Sequence, residues 1–261
     1  MHRIHLLELE DQSWCPRPIR DGITDYLQFA FKAGKLYDKM LPRLIKLIQK
    51  TGSSRIIDLC SGAGGPWPTL TRALDNHGLR YVTVCLTDKF PSLTAMDNAQ
   101  RASSDRIEYR ADTVDARDVP DDLEGVRTMF TSFHHFDQAD ALAILRNAVE
   151  DRQGIAVVEV TQRHPLAILY MFLTPLLVAL ATPMIRPYRW SRLFWTYLIP
   201  LIPLAVMFDG IVSCLRTYSL DEIKVLTNGL VTDGSYEWEM GIERFGKLPI
   251  GLTYLIGYPV I

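Results

Sequence analysis

The chain has 261 residues, with 28 Lys and Arg against 30 Asp and Glu, a formal net charge of -2 and a pI near 6.3. That length suits one α/β domain with an elaboration and is enough to bury a full core. A near-neutral charge with no basic tail, no Lys/Arg-rich face and no zinc-type spacing argues against nucleic acid as a partner. Four scattered cysteines (Cys15, Cys60, Cys85, Cys214) read as reduced thiols. The stretch Met1 to Gln12 mixes His, Arg, Glu and Asp with no signal-peptide core, so composition points to an intracellular, globular protein.

Residues 1–22 are polar and Pro-punctuated and read as an arm. Residues 24–51 carry apolar positions at helical spacing (Leu27, Phe31, Leu41, Leu44, Ile45, Ile48), broken at Pro42, and predict two short helices. From residue 55 the signals alternate. Strands are predicted at Arg55–Leu59, Tyr81–Leu86, Ile107–Ala111, Arg127–Phe133 and Gly154–Val160. Helices are predicted at Pro66–Asn76, Pro91–Arg101 and Gln138–Glu150. This order implies a parallel sheet covered on both faces. Tyr236–Glu243 and Leu252–Val260, separated by Gly246 to Gly251, predict an antiparallel pair. The fold class expected is α/β: a doubly wound, mostly parallel, seven-stranded Rossmann-like sheet with a terminal antiparallel hairpin.

A hydrophobic helical insertion interrupts this plan between the fifth strand and the last helix. Pro165–Ile185 is 21 residues without a charge; Arg186 to Arg192 reads RPYRWSR, and Leu193–Phe208 is again uncharged. The first run is long enough to cross a bilayer and the second is marginal. Both would have to span for the chain to return to the sheet. That would place three arginines on the far side, against the positive-inside tendency. Pro175, Pro183, Pro200 and Pro203 also break the runs into short helices. An interfacial membrane anchor therefore fits better than a full crossing, with a hydrophobic lid or dimer interface as the alternative. The division expected is 1–52 as arm and helices, 53–163 with 209–261 as core, and 164–208 as insertion.

The chemistry concentrates at strand ends. Arg55-Ile-Ile-Asp58-Leu-Cys60-Ser61-Gly62-Ala-Gly64-Gly65-Pro-Trp67 runs from a β-branched strand through a glycine turn into a helix, the order a nucleotide-type ligand needs. It does not fit the dinucleotide pattern G-x-G-x-x-G, since Trp67 stands at the third position. Asp88 ends the second strand, next to Lys89; a carboxylate there can accept from two ribose hydroxyls, worth roughly 1.5–3 kcal/mol per bond. Asp112-Thr-Val-Asp115-Ala116-Arg-Asp-Val-Pro120 follows the third strand, and Thr131-Ser132-Phe-His134-His135-Phe136 ends the fourth.

The spacing Asp58-x-Cys60-x-Gly62-x-Gly64 resembles the first motif of the class I S-adenosylmethionine-dependent methyltransferases, D/E-x-G-x-G-x-G, with Cys60 in place of the first glycine. Asp115-Ala116-x-x-Val119-Pro120 is similar to that family's adenine-edge motif. Because Val114 replaces its usual Gly, Asp112 remains a rival to Asp115. Residues 131–136 look like the fourth motif. The resemblance covers about residues 50–163 and 209–260. Within it, "DLCSGAGGPW", Trp14-x-Pro16 and "RDGITDYL" look like a group of bacterial methyltransferases. It implies S-adenosyl-L-methionine as cofactor, held by Asp58, Cys60, Ser61, Gly62, Gly64, Asp88, Lys89, Asp112 or Asp115, Ala116 and Ser132. His134 and His135 become the candidate bases for methyl transfer. Trp67 and Tyr26 are read as pocket walls or core. Neither N-P-P-Y nor a Pro-Cys nucleophile occurs, which again disfavours nucleic acid.

The expectation is methyl transfer to oxygen or nitrogen of a hydrophobic small molecule or lipid, at the cytoplasmic face of a membrane. The alternative is a non-catalytic cofactor-binding regulator or scaffold of a membrane partner. A nucleotide-dependent oxidoreductase is disfavoured by the terminal hairpin and Trp67.

Overall fold

The computed structural model describes residues 2–91, 97, 100–101, 106–230 and 234–260. Its strands are β1 (Arg55–Asp58), β2 (Thr83–Leu86), β3 (Ile107–Tyr109), β4 (Val126–Phe130), β5 (Ile155–Glu159), β6 (Tyr236–Arg244) and β7 (Gly251–Pro259). The helices are α1 (Arg17–Ala33), α2 (Leu41–Thr51), α3 (Trp67–Asp75), α4 (Gln138–Glu150), α5 (Pro165–Met171), α6 (Thr174–Ala181), α7 (Leu201–Arg216) and α8 (Leu220–Thr227), with shorter turns between them. The helix expected over Pro91–Arg101 lies largely outside the described residues. The chain forms two compact units, one of Leu36–Val160 with Ser219–Ile261 and one of Met1–Lys35 with Thr161–Tyr218.

The first unit holds a single sheet in the order β3-β2-β1-β4-β5-β7-β6. β1 to β5 are parallel, and β7 enters antiparallel between β5 and β6. This is the doubly wound sheet with a terminal hairpin that the alternation of strands and helices predicts. β5 is buried along its whole length, as a parallel strand covered on both faces requires. Arg127 in β4 is a buried charge among these strands, its Nη1 donating to Asn147 (2.9 Å) and its Nη2 to Asp151 (2.5 Å). Asp137 caps α4 by accepting from Asp140 N, and a Ser219/Glu222 capping box opens α8. The strand order reverses between β1 and β4, so their carboxyl ends flank the crevice where sheets of this kind take ligands.

The second unit is helical. α1 begins at Arg17, inside the stretch expected to be an arm, because Pro16 precedes it and Pro18 fits its first turn. Ile19, Ile23 and Tyr26 of α1 pack with Val178 of α6 and Ile202 and Val206 of α7. Gly22 permits that approach; a Cβ there would lie 2.3 Å from Ile202 Cδ1. The N-terminal segment is tied to α7, where buried Asp209 accepts from Leu9 N (2.6 Å) and Glu10 N (3.1 Å). α7 runs through Asp209, so the end of the uncharged stretch lies inside a helix rather than at a boundary. No single described helix is long and apolar enough to cross a membrane; two helix pairs, Pro165–Met171 with Thr174–Met184 and Trp190–Leu198 with Leu201–Arg216, are bent by 45° and 78°.

Candidate active site

The β1 carboxyl end turns sharply. Cys60, Gly62, Gly64 and Gly65 take φ of 56°, 52°, 95° and 51°. The left-handed conformation costs a residue with a Cβ roughly 1–2 kcal/mol, a strain that Cys60 carries and the three glycines do not. The Cys60 thiol is pushed up by burial and by the Asp88 carboxylate, so it stays protonated at neutral pH. Ser61 is built into the turn: its N–H donates to Thr87 O (2.9 Å) and its hydroxyl to Asp58 O (2.7 Å). Gly64 N donates to Ser61 O at 2.8 Å. Asp58 itself is buried beneath the loop. Its Oδ1 accepts from Thr128 Oγ1 at 2.6 Å, and burial pushes its carboxyl up to about 6.

At the end of β2, half-buried Asp88 accepts from Gly62 N (2.9 Å) and Phe90 N (2.8 Å). Lys89 reaches Asp115 at 3.0 Å, which joins the ends of β2 and β3. Arg117 grips Asp115 through Nη2 (2.6 Å) and Nε (2.9 Å), and holds its carboxyl well below the usual range. Ala116 is buried beside it. Asp112 is exposed and pairs with Arg110 (3.2 Å), whereas Lys89 pairs with Asp115. Of the two rivals, Asp115 is therefore the one linked to the Asp88 corner.

The end of β4 is strained. Thr131 has φ 49°, an outlier for a β-branched residue. It is held there by Tyr37 Oη at 2.8 Å from its Oγ1, by Val160 N donating to that oxygen (3.3 Å), and by its own N–H on Val158 O (2.7 Å). The buried Ser132 hydroxyl makes no hydrogen bond. Phe133–His135 then form a 3₁₀ turn. His134 is buried, with Nδ1 2.7 Å from Glu159 Oε2 and its backbone N donating to Oε1 at 3.2 Å. A carboxylate only accepts, so Nδ1 carries the proton of that bond. The ring of half-buried His135 lies 4.4 Å from that of His134.

No family model and no curated protein matches the chain. Solved structures do. The neocarzinostatin-biosynthesis O-methyltransferase NcsB1 aligns at TM-score 0.51 and 15% identity over 94% of this chain and 59% of that one. Human N-acetylserotonin methyltransferase aligns at 0.51 and 11%, over 94% and 56%. The methyltransferase domain of bacterial CtHen1 aligns at 0.50 and 12%, over 84% and 97%. The fold is that of the class I S-adenosylmethionine-dependent methyltransferases. The chain spans under two thirds of the first two proteins and nearly all of the third domain.

The crevice at these strand ends fits a nucleoside-type ligand. A Cβ on Gly62 would meet nothing within 4 Å, so the turn opens onto space beside Asp88, and the Ser132 hydroxyl has hydrogen-bonding capacity left. Within this methyltransferase fold Trp67 is core, fully buried with its ring 5.6 Å from Phe130. Tyr26 is core of the helical unit. Sequence reading missed Tyr37, the strained backbone of Thr131 and the pairing of Glu159 with His134. The usable signal for Glu159 was an acid closing an otherwise apolar strand, since a buried carboxylate demands a partner.

Proposed function

We propose that this chain is an S-adenosylmethionine-dependent methyltransferase acting on oxygen or nitrogen of a hydrophobic small molecule or lipid, at the cytoplasmic face of a membrane. The observation that carries the chemistry is the His134–Glu159 pair at 2.7 Å, set at the carboxyl ends of β4 and β5. When bound, S-adenosylmethionine supplies a methyl group on a sulfonium sulfur. Asp88 and the Gly62 turn would hold its ribose side, Asp115 and Ala116 its adenine, and Ser132 the end nearest the histidines. Glu159 keeps His134 in the tautomer whose Nε2 accepts a proton from the acceptor's O–H or N–H as that atom attacks. His135 borders the same turn and shapes the acceptor's approach. The hydrophobic acceptor and the membrane location are supported by the apolar side chains that residues 165–208 leave exposed.

The test is calorimetric titration of S-adenosylmethionine and S-adenosylhomocysteine, followed by transfer of radiolabelled methyl to lipid extracts. Micromolar binding and a labelled organic-phase product are expected. Binding without any acceptor would favour a regulator or scaffold; no binding would overturn the reading.

A further inference from the structure

The helical unit presents an apolar surface that its own core does not explain. Among the described residues, 17 of the 27 exposed large hydrophobic side chains fall within residues 165–208. Trp190 is 86% exposed and Leu198 71%, and Tyr188 and Tyr197 are both over half exposed. Soluble monomers rarely carry so dense a patch. The stretch contains no acid; its only charges are Arg186, Arg189 and Arg192. Aromatic side chains mixed with arginine and aliphatic residues suit the headgroup boundary of a bilayer. An anionic surface complements these arginines, whereas a second copy of the chain would set like charges against them.

Within this unit, between α1 and the Arg189–Arg192 turn, lies a cleft of about 330 Å³ lined by Arg17, Asp21, Asp25, Arg189, Ser191 and Arg192. Buried Arg192 is committed to Asp25 and to the carbonyls of Ile185 and Pro187, both at 2.8 Å. Arg189 reaches Asp21 at 3.2 Å and Asp25 at 3.6 Å through a single Nη. Arg17 is largely exposed and approaches Asp21 only at 3.8 Å. Three guanidiniums therefore face two carboxylates. The positive excess, with most of the N–H donors on Arg17 and Arg189 still available, lies beside exposed Tyr188 and Trp190.

We propose that this cleft takes the phosphate of a membrane phospholipid headgroup, while the surrounding apolar side chains enter the same leaflet. The inference rests on the membrane part of the proposed function and not on methyl transfer. Arg17 and Arg189 would hold the phosphate through their planar forks, geometry that suits two of its oxygens at once. Asp21 sets the strength of the site by competing for both.

The experiment is flotation of the full chain with vesicles of phosphatidylcholine alone and of equimolar phosphatidylcholine and phosphatidylglycerol. The chain is expected to bind both, and the mixed vesicles roughly tenfold more tightly, with the difference falling as salt is raised. Arg17→Gln combined with Arg189→Gln should remove the preference and leave the weaker binding. Trp190→Ser with Leu198→Ser should abolish both. Asp21→Asn should strengthen binding to the mixed vesicles, a gain that misfolding does not mimic. Wild-type protein that floats with neither vesicle overturns the headgroup site and the membrane location together, leaving methyl transfer to be judged by its own assay. A preference that survives the arginine variant and does not rise in the Asp21 variant overturns the headgroup site alone. Thermal stabilisation by sn-glycerol 3-phosphate without vesicle binding would assign the cleft to a free phosphate ester, and also overturns it.

Discussion

Asp88 Oδ2 accepts the backbone N–H of Gly62 at 2.9 Å, so the β2 carboxylate and the β1 turn are bonded to each other directly. A ligand that uses the carboxylate meets a turn already braced by it. Asp88→Ala removes the brace and the ribose acceptor together, and is expected to weaken S-adenosylhomocysteine by at least about tenfold, since each charge-assisted bond is worth roughly 1.5–3 kcal/mol. Asp88→Asn keeps one acceptor and should fall between. Calorimetric titration of the three proteins checks the order; equal affinities would remove Asp88 from the site.

His134→Ala is expected to lower turnover by about 10²- to 10⁴-fold, the span of general-base effects, while S-adenosylhomocysteine affinity stays within about threefold. Glu159→Gln should also lower turnover, because an amide no longer fixes the Nδ1–H tautomer, and its pH–rate profile should shift. Steady-state kinetics with saturating donor separates the two effects. Unchanged turnover in both variants would mean that positioning alone drives the transfer.

Asp58 titrates at about 6 in the folded chain and near 3.9 unfolded, so the native state holds more protons between those values. Its contribution to stability is present below about pH 4, falls as pH rises through 6, and is absent above. Asp58→Asn imitates the protonated carboxyl and should remove about 2–3 kcal/mol of that slope. Asp209, raised by burial to about 6, acts in the same direction and should leave a residual slope in the variant. Urea denaturation at pH 4.5 and 7.5 reads the difference.

Thr131→Val keeps the strained shape but removes the hydroxyl that Tyr37 and Val160 share. The loss should be about 1–3 kcal/mol, and Tyr37→Phe should cost about half of it. Cys60→Val should lower the melting temperature more than Cys60→Ala, because β-branching worsens a left-handed φ. Scanning calorimetry ranks all four variants.

The sheet was legible because its strands are short apolar runs punctuated by turns, and Gln138–Glu150 matches its predicted bounds. The prolines of the insertion likewise foretold short helices. Two things were hidden. The first turns of α1, Arg17 to Gly22, read as arm because they are polar, while the rest lies in the stretch predicted helical; the buried face from Ile19 to Tyr26 becomes visible only when α6 and α7 are packed against it. The partner of His134 was hidden because Glu159 lies 25 residues downstream, and only β4–β5 register places the two together. The left-handed φ of Thr131 leaves no mark at all, since its residue type argues against it. Cys60, by contrast, stood at a position where the family pattern asks for glycine.

The antiparallel strand β7 sits inside the sheet although it follows β6 in the chain. About 90 residues separate its start at Gly251 from the end of its neighbour β5 at Glu159. On a ribosome elongating at about 5–20 residues per second, β5 would wait roughly 5–18 seconds with one edge open. During that interval its Ile-Ala-Val-Val face is a template for pairing with other chains. The apolar, acid-free stretch at 165–208 emerges within the same window. Nascent chains of this protein should therefore depend on holdase chaperones until β7 closes the sheet.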